Sequence, residues 1–209
     1  PHWNNRTNWR NADDTDFNGP GTECSWGGIS CNADRTHVTA INLWWNNLTG
    51  DLDAAWGTWI PVLDHLEAFN VYQNALTGLI PHELAELPSI RELTFDFNQF
   101  SGPIPVELCA SRTITYLALG FNKLSGTIPA CLGNMTQLVA LETFNNELTG
   151  SLPATLGNLT ATYDGAPGGC AHLWPKSQCL FRSPGHALPG PCSAPNWRPT
   201  QSPRASLPR

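Results

Sequence analysis

The chain has 209 residues, 41 % hydrophobic and 13 % charged, with a formal net charge of −6. That length and apolar content are enough for one packed domain. Residues 1–164 hold 17 acids against 6 Lys/Arg, whereas residues 165–209 hold 5 Lys/Arg and no acid. The acidic body argues against a nucleic-acid partner, and no apolar run reaches the length of a membrane span.

The sequence starts at Pro1 without a methionine and is expected to be a processed product or a fragment. Four Asn-x-Thr sequons, at Asn5, Asn47, Asn134 and Asn158, stand beside seven cysteines. Together they point to the secretory pathway and to an extracellular or cell-surface location.

Residues 1–36 read as an amino-terminal cap. Within them Asp14-Thr15-Asp16-Phe17-Asn18-Gly19 matches the first half of a calcium loop. The twelfth position is Ser25 rather than a bidentate glutamate and Pro20 interrupts the loop, so an ordinary acidic turn is expected and no metal is assigned. Cys24 and Cys31 follow, seven residues apart, and a bond between them would close a short loop worth about 2 kcal/mol.

Residues 37–160 are organised by one recurring stretch, Asn122-Lys123-Leu124-Ser125-Gly126-Thr127-Ile128-Pro129. Copies begin at Asn46, Asn74, Asn98 and Asn146, and a fixed period of this length is the mark of a solenoid. The first period is 28 residues and the others 24, the difference being an insertion between Asp51 and Leu66 that carries Trp56 and Trp59. Each of the five units opens with apolar residues at positions 1, 4 and 6 and an asparagine at 9, as in Ile90, Leu93, Phe95 and Asn98. The alternation predicts a short strand with one buried face. Thr143 is the one polar occupant of position 6, which predicts a looser core in the last unit.

An amide both donates and accepts, so stacked asparagines can satisfy backbone groups inside the turns. Glycines at 50, 78, 102, 126 and 150 permit a left-handed turn, and prolines at 81, 105, 129 and 153 fix the exit from it. Leu84, Leu108, Leu132 and Leu156 then point back into the core from a short helical turn. Cys109 and Cys131 lie in adjacent units and can bridge them if their side chains converge.

Residues 161–192 read as a cysteine-containing carboxy-terminal cap and residues 193–209 as a proline-rich tail. Cys170 and Cys179 are expected to bond across that cap, and Cys192 is the expected odd thiol of the seven. His82-Glu83-Leu84-Ala85-Glu86 lacks the second histidine of a zinc-protease helix and Leu84 is a core position, so that reading is rejected. Neither a phosphate loop nor a nucleophile elbow occurs, and no cofactor is expected.

The unit pattern L-x-x-L-x-L-x-x-N-x-L-[TS]-G-x-[IL]-P resembles the plant-type extracellular leucine-rich repeat family over about residues 24–160. Cys24-x-Trp26-x-Gly28-Ile29-x-Cys31 is similar to that family's amino-terminal cap, and Trp3 to Trp9 resembles the caps of algal, protist and bacterial members. The resemblance implies an α/β solenoid: a right-handed superhelix with a parallel sheet on its concave side, a second short sheet and disulfide-bonded caps. It also implies a role like that of receptor ectodomains or polygalacturonase-inhibitor-like proteins, in binding rather than catalysis.

The strand register gives the candidate site. Trp44, Tyr72, Asp96 and Phe144 form one outward column, and Trp45, Phe97 and Phe121 stand in the next, with Glu92, Tyr116 and Glu142 on the same face. Rigid aromatics on an exposed surface supply contact area at low entropy cost, so the expected function is recognition of a protein partner through the concave face. The alternatives are a structural subunit of an extracellular or cell-wall assembly, or a carbohydrate-binding protein that stacks sugar rings of a polysaccharide on the same aromatics.

Overall fold

The computed structural model describes residues 22–52 and 63–159. The acidic turn at 14–19, Asn5, Trp56, Trp59, Cys170, Cys179, Cys192 and the tail lie outside them.

A six-stranded sheet runs through the described residues in the order β1-β2-β4-β6-β8-β10. Its strands are β1 (Ile29–Cys31), β2 (Val38–Asn42), β4 (Ala68–Asn70), β6 (Glu92–Thr94), β8 (Tyr116–Ala118) and β10 (Ala140–Glu142). All pairs are parallel except β1 with β2. The register places Ile41, Phe69, Leu93, Leu117 and Leu141 side by side, the fourth position of every unit. Phe69, Leu93, Leu117 and Leu141 are buried, each worth roughly 1.5–3 kcal/mol relative to exposure.

The Thr/Ser-Gly segments make a second, interrupted sheet. There β3 (Thr49–Asp51) pairs in parallel with β5 (Ala75–Thr77), and β7 (Ser101–Gly102) with β9 (Lys123–Leu124). Glycines 50, 78, 102, 126 and 150 all have positive φ, as the left-handed turn requires. Pro81, Pro105, Pro129 and Pro153 immediately precede 3₁₀ turns at His82–Glu86, Val106–Ala110, Ala130–Asn134 and Ala154–Asn158. These turns replace the helices that the α/β class would supply, and they drive Leu84, Leu108, Leu132 and Leu156 into the core.

The asparagine ladder binds each unit to the one before it. Asn98 Nδ2 donates to Val71 O at 2.8 Å and Phe95 O at 3.1 Å, and its Oδ1 accepts from Leu76 N at 3.1 Å. Asn74, Asn122 and Asn146 repeat the arrangement. Amide geometry therefore sets the stacking as firmly as the strands do.

Two disulfides stand among the described residues. Cys24–Cys31 ties the 3₁₀ turn at Glu23–Ser25 to the end of β1, and Cys109–Cys131 joins neighbouring 3₁₀ turns. Thr143 itself is 1 % exposed, and its hydroxyl has no hydrogen-bond partner among the described residues, while Leu152 of the same unit is exposed at the place where Ile80, Ile104 and Ile128 are buried. An unpaired buried hydroxyl costs about 1–3 kcal/mol.

Gly133 shows how tightly successive turns approach. A Cβ there would lie 2.2 Å from the backbone carbon and oxygen of Thr155, whereas one on Gly157 would meet nothing within 4 Å. Gly133→Ala should therefore destabilise the fold by about 2–3 kcal/mol and Gly157→Ala by less than about 0.5 kcal/mol. Urea unfolding of the two variants side by side checks the contrast.

Candidate functional site

After each strand the chain continues in ladder with its neighbour, Trp45 N donating to Tyr72 O, Gln73 N to Asp96 O, Phe97 N to Gly120 O and Phe121 N to Phe144 O. The residue before each ladder asparagine then takes a left-handed conformation: Trp45, Gln73, Phe97, Phe121 and Asn145 have φ between 49° and 56°. Such a backbone suits glycine or asparagine, and an ordinary L side chain in it costs about 1 kcal/mol or more. Three of these five positions nevertheless carry large aromatic rings. No signal in the residue types announced that conformation, apart from Asn145 in the same column.

The turn tips these rings outward and into contact. Trp44 and Trp45 are 54 % and 62 % exposed, Phe97 and Phe121 37 % and 38 %. Tyr72 meets Phe97 at a centroid distance of 5.2 Å, Phe97 stacks on Phe121 at 4.0 Å, and Phe121 meets Phe144 edge-on at 5.2 Å. Trp44 and Trp45 pair at 6.4 Å beside an open hollow of about 220 Å³ that they line with Asn42, Leu43 and Asn46. Ring pairs of this kind contribute about 0.5–1.5 kcal/mol each, which offsets part of the backbone strain.

Carboxylates lie beside this run. Asp96 was expected to face solvent and does not: it is 4 % exposed. Gly120, its neighbour in the next unit, has no side chain, so the Asp96 carboxylate settles over it and accepts a hydrogen bond from Gly120 N, with the Phe144 ring close to the same glycine. Burial, and next the nearby Glu142, push the Asp96 carboxyl up to about 7, against the lowering effect of the Gly120 hydrogen bond. Burial, then Asp96 and Glu142, also raise Tyr72. Tyr116 donates its hydroxyl to Glu142 Oε1 at 2.9 Å, and Glu92 stands exposed at the start of β6. The structure thus gathers Tyr72, Asp96, Tyr116 and Glu142 beside the aromatic run. At the sequons Asn47, Asn134 and Asn158 the asparagines are exposed.

A family model for the leucine-rich repeat matches residues 113–135. No curated protein sequence matches significantly. Among solved structures, a chain of the BIR3–SERK2 complex from Arabidopsis thaliana is 28 % identical, with a TM-score of 0.59 over 64 % of this chain and 70 % of that one. The BIR2 ectodomain from Arabidopsis thaliana is 27 % identical with a TM-score of 0.62, covering 73 % of this chain and 77 % of its own. A plant ice-binding protein is 30 % identical with a TM-score of 0.60 over 77 % of this chain, which spans 48 % of that protein. With the strand register, the asparagine ladder and the glycine-proline turns, these likenesses identify the fold as a leucine-rich repeat solenoid similar to that of the plant ectodomains.

Proposed function

We infer that this protein is an extracellular binding module that recognises a protein partner on the outward face of its main sheet, with no catalytic role. The observation that carries the reading is the aromatic column itself. Trp45, Phe97 and Phe121 sit where asparagine would fit the backbone with less strain, and all three are exposed. Aromatics kept under strain on a surface are explained by what they contact. Stacking of Phe97 on Phe121 holds those two rings in place beforehand, so little of their side-chain order is lost on binding. The exposed Glu92 and the half-buried Glu142 on the same face favour a partner segment with a basic residue.

The likeness to a chain of the BIR3–SERK2 complex, in which one protein meets another, supports a protein as the occupant. The exposed sequons at Asn134 and Asn158 end two 3₁₀ turns away from the strands, so glycans there leave the sheet face clear.

The test uses Trp45→Asn, Phe97→Asn and Phe121→Asn together, because asparagine removes the rings without opposing the left-handed turn. The intact chain is used to capture a partner from its native extracellular extract, and the purified partner is titrated against both forms. A loss of at least tenfold in affinity, with the thermal transition retained, is expected. Equal affinity would overturn this site, and capture of a polysaccharide alone would move the function to sugar stacking.

A further inference from the structure

The repeat period brings one pair of chemistry-bearing side chains together away from the aromatic face. His37 immediately precedes Val38, the first core residue of its unit, and His65 immediately precedes Leu66, the first core residue of the next. They occupy equivalent places one period apart, so stacking superposes them at the edge where β2 and β4 begin. Their ring centroids are 3.9 Å apart, and Asp64 adds a carboxylate 4.0 Å from Nε2 of His65. One donor atom from each of His37, Asp64 and His65 falls within 4.8 Å of the other two, and all three residues are exposed.

The geometry points to a binding site for a divalent first-row transition ion, of the Zn²⁺ or Cu²⁺ class, held by one ring nitrogen from each histidine and the Asp64 carboxylate. Imidazole nitrogens with a carboxylate are the donor set these ions prefer, and three protein ligands leave a fourth position for water or an outside ligand. Tetrahedral coordination needs donors roughly 3.3 Å apart. Small rotations of exposed side chains close that gap without moving the backbone.

The backbone carrying the ligands is already fixed. Leu66 is fully buried, its N–H donates to Leu63 O at 2.9 Å, and Glu67 N joins the two units by donating to Thr39 O at 2.8 Å. On the other side Asn32 Oδ1 accepts from Thr36 N at 2.8 Å and from His37 N at 3.1 Å, and Thr36 Oγ1 lies 2.9 Å from His37 Nδ1. Outer partners of this kind orient a ligand ring and hold its tautomer. The ion would staple the first strand unit to the second, across the one place where the period is stretched to 28 residues.

Calorimetric titration of the full chain with ZnCl₂ at pH 7.5 is the test, read against His37→Ala, His65→Ala and the surface control His82→Ala. The site predicts that each of the first two variants loses one equivalent of Zn²⁺, or binds it at least tenfold more weakly, while His82→Ala behaves as the parent. The melting temperatures in chelator should match, since the side chains are exposed. Cu²⁺ should bind more tightly than Zn²⁺, and its electron paramagnetic resonance should show two nitrogen ligands that fall to one in either variant. Unchanged stoichiometry and affinity in either histidine variant would overturn the site, as would Mg²⁺ or Ca²⁺ competing at equal concentration.

Discussion

Asn98→Asp is expected to remove about 3–5 kcal/mol of stability at neutral pH. The wild-type amide donates to Val71 O, Phe95 O and Asp96 O at 2.8, 3.1 and 3.2 Å, and the residue is 8 % exposed. A carboxylate at the same place turns one of its oxygens toward three carbonyl oxygens and supplies no proton to any of them. It must either stay charged under repulsion or take up a proton at a much higher pH than usual. Acid should therefore restore part of the lost stability, because a protonated carboxyl donates once. Asn98→Ala leaves the carbonyls unpaired without adding charge and should cost less, about 2–3 kcal/mol. Urea unfolding at pH 7 and pH 4 separates these cases. A variant within about 1 kcal/mol of the parent at pH 7 would show that the ladder is incidental to stacking.

The opposite sign is expected at Asp96. Its folded value of about 7 stands above the ordinary 3.8, so between those two the native state holds a proton that the unfolded chain has released. Stability from this group is full below pH 4, falls as the pH rises towards 7, and stays lower above it. The difference is on the order of 4 kcal/mol, taking one pKa unit as 1.36 kcal/mol. Asp96→Asn keeps an oxygen to accept from Gly120 N and removes the charge beside Glu142. The variant should match the parent near pH 4 and exceed it by about 2–4 kcal/mol at pH 8, seen as a melting temperature several degrees higher. A lower melting temperature at pH 8 would mean that the ionised carboxylate is stabilised by contacts of greater weight than its burial.

The repeat period alone was enough to place every buried leucine of the 3₁₀ turns, the asparagine ladder and the left-handed glycines, because those residues answer to the backbone of their own unit. What it left open depended on neighbours one unit away. Asp96 is buried because residue 120 is glycine and Phe144 lies close to it, a fact about three units that no single one displays. The outward aromatics were readable as a column. Their left-handed backbone was not, since tryptophan and phenylalanine carry no preference for positive φ. Cys109 and Cys131 are 22 residues apart in a 24-residue period, which brings them near each other without fixing that they bond. His37 and His65 were within reach of the same register reasoning. Local metal-ligand spacings do not span 28 residues, and only superposing the units brings the pair into view.

The Cys109–Cys131 bond carries a mechanical consequence. A solenoid whose units touch only their neighbours yields to tension by peeling from an end, one unit after another, and each released unit lengthens the strand by its full contour. The bond withholds the segment between its cysteines, a sequence separation of 22, from that extension, roughly 75 Å of slack at full stretch. Force passing along the chain crosses the covalent link instead of the hydrogen bonds between those two turns. In an oxidising medium the middle of the array is therefore the part that does not pay out, and a thiol reductant converts the same protein into a longer and softer tether.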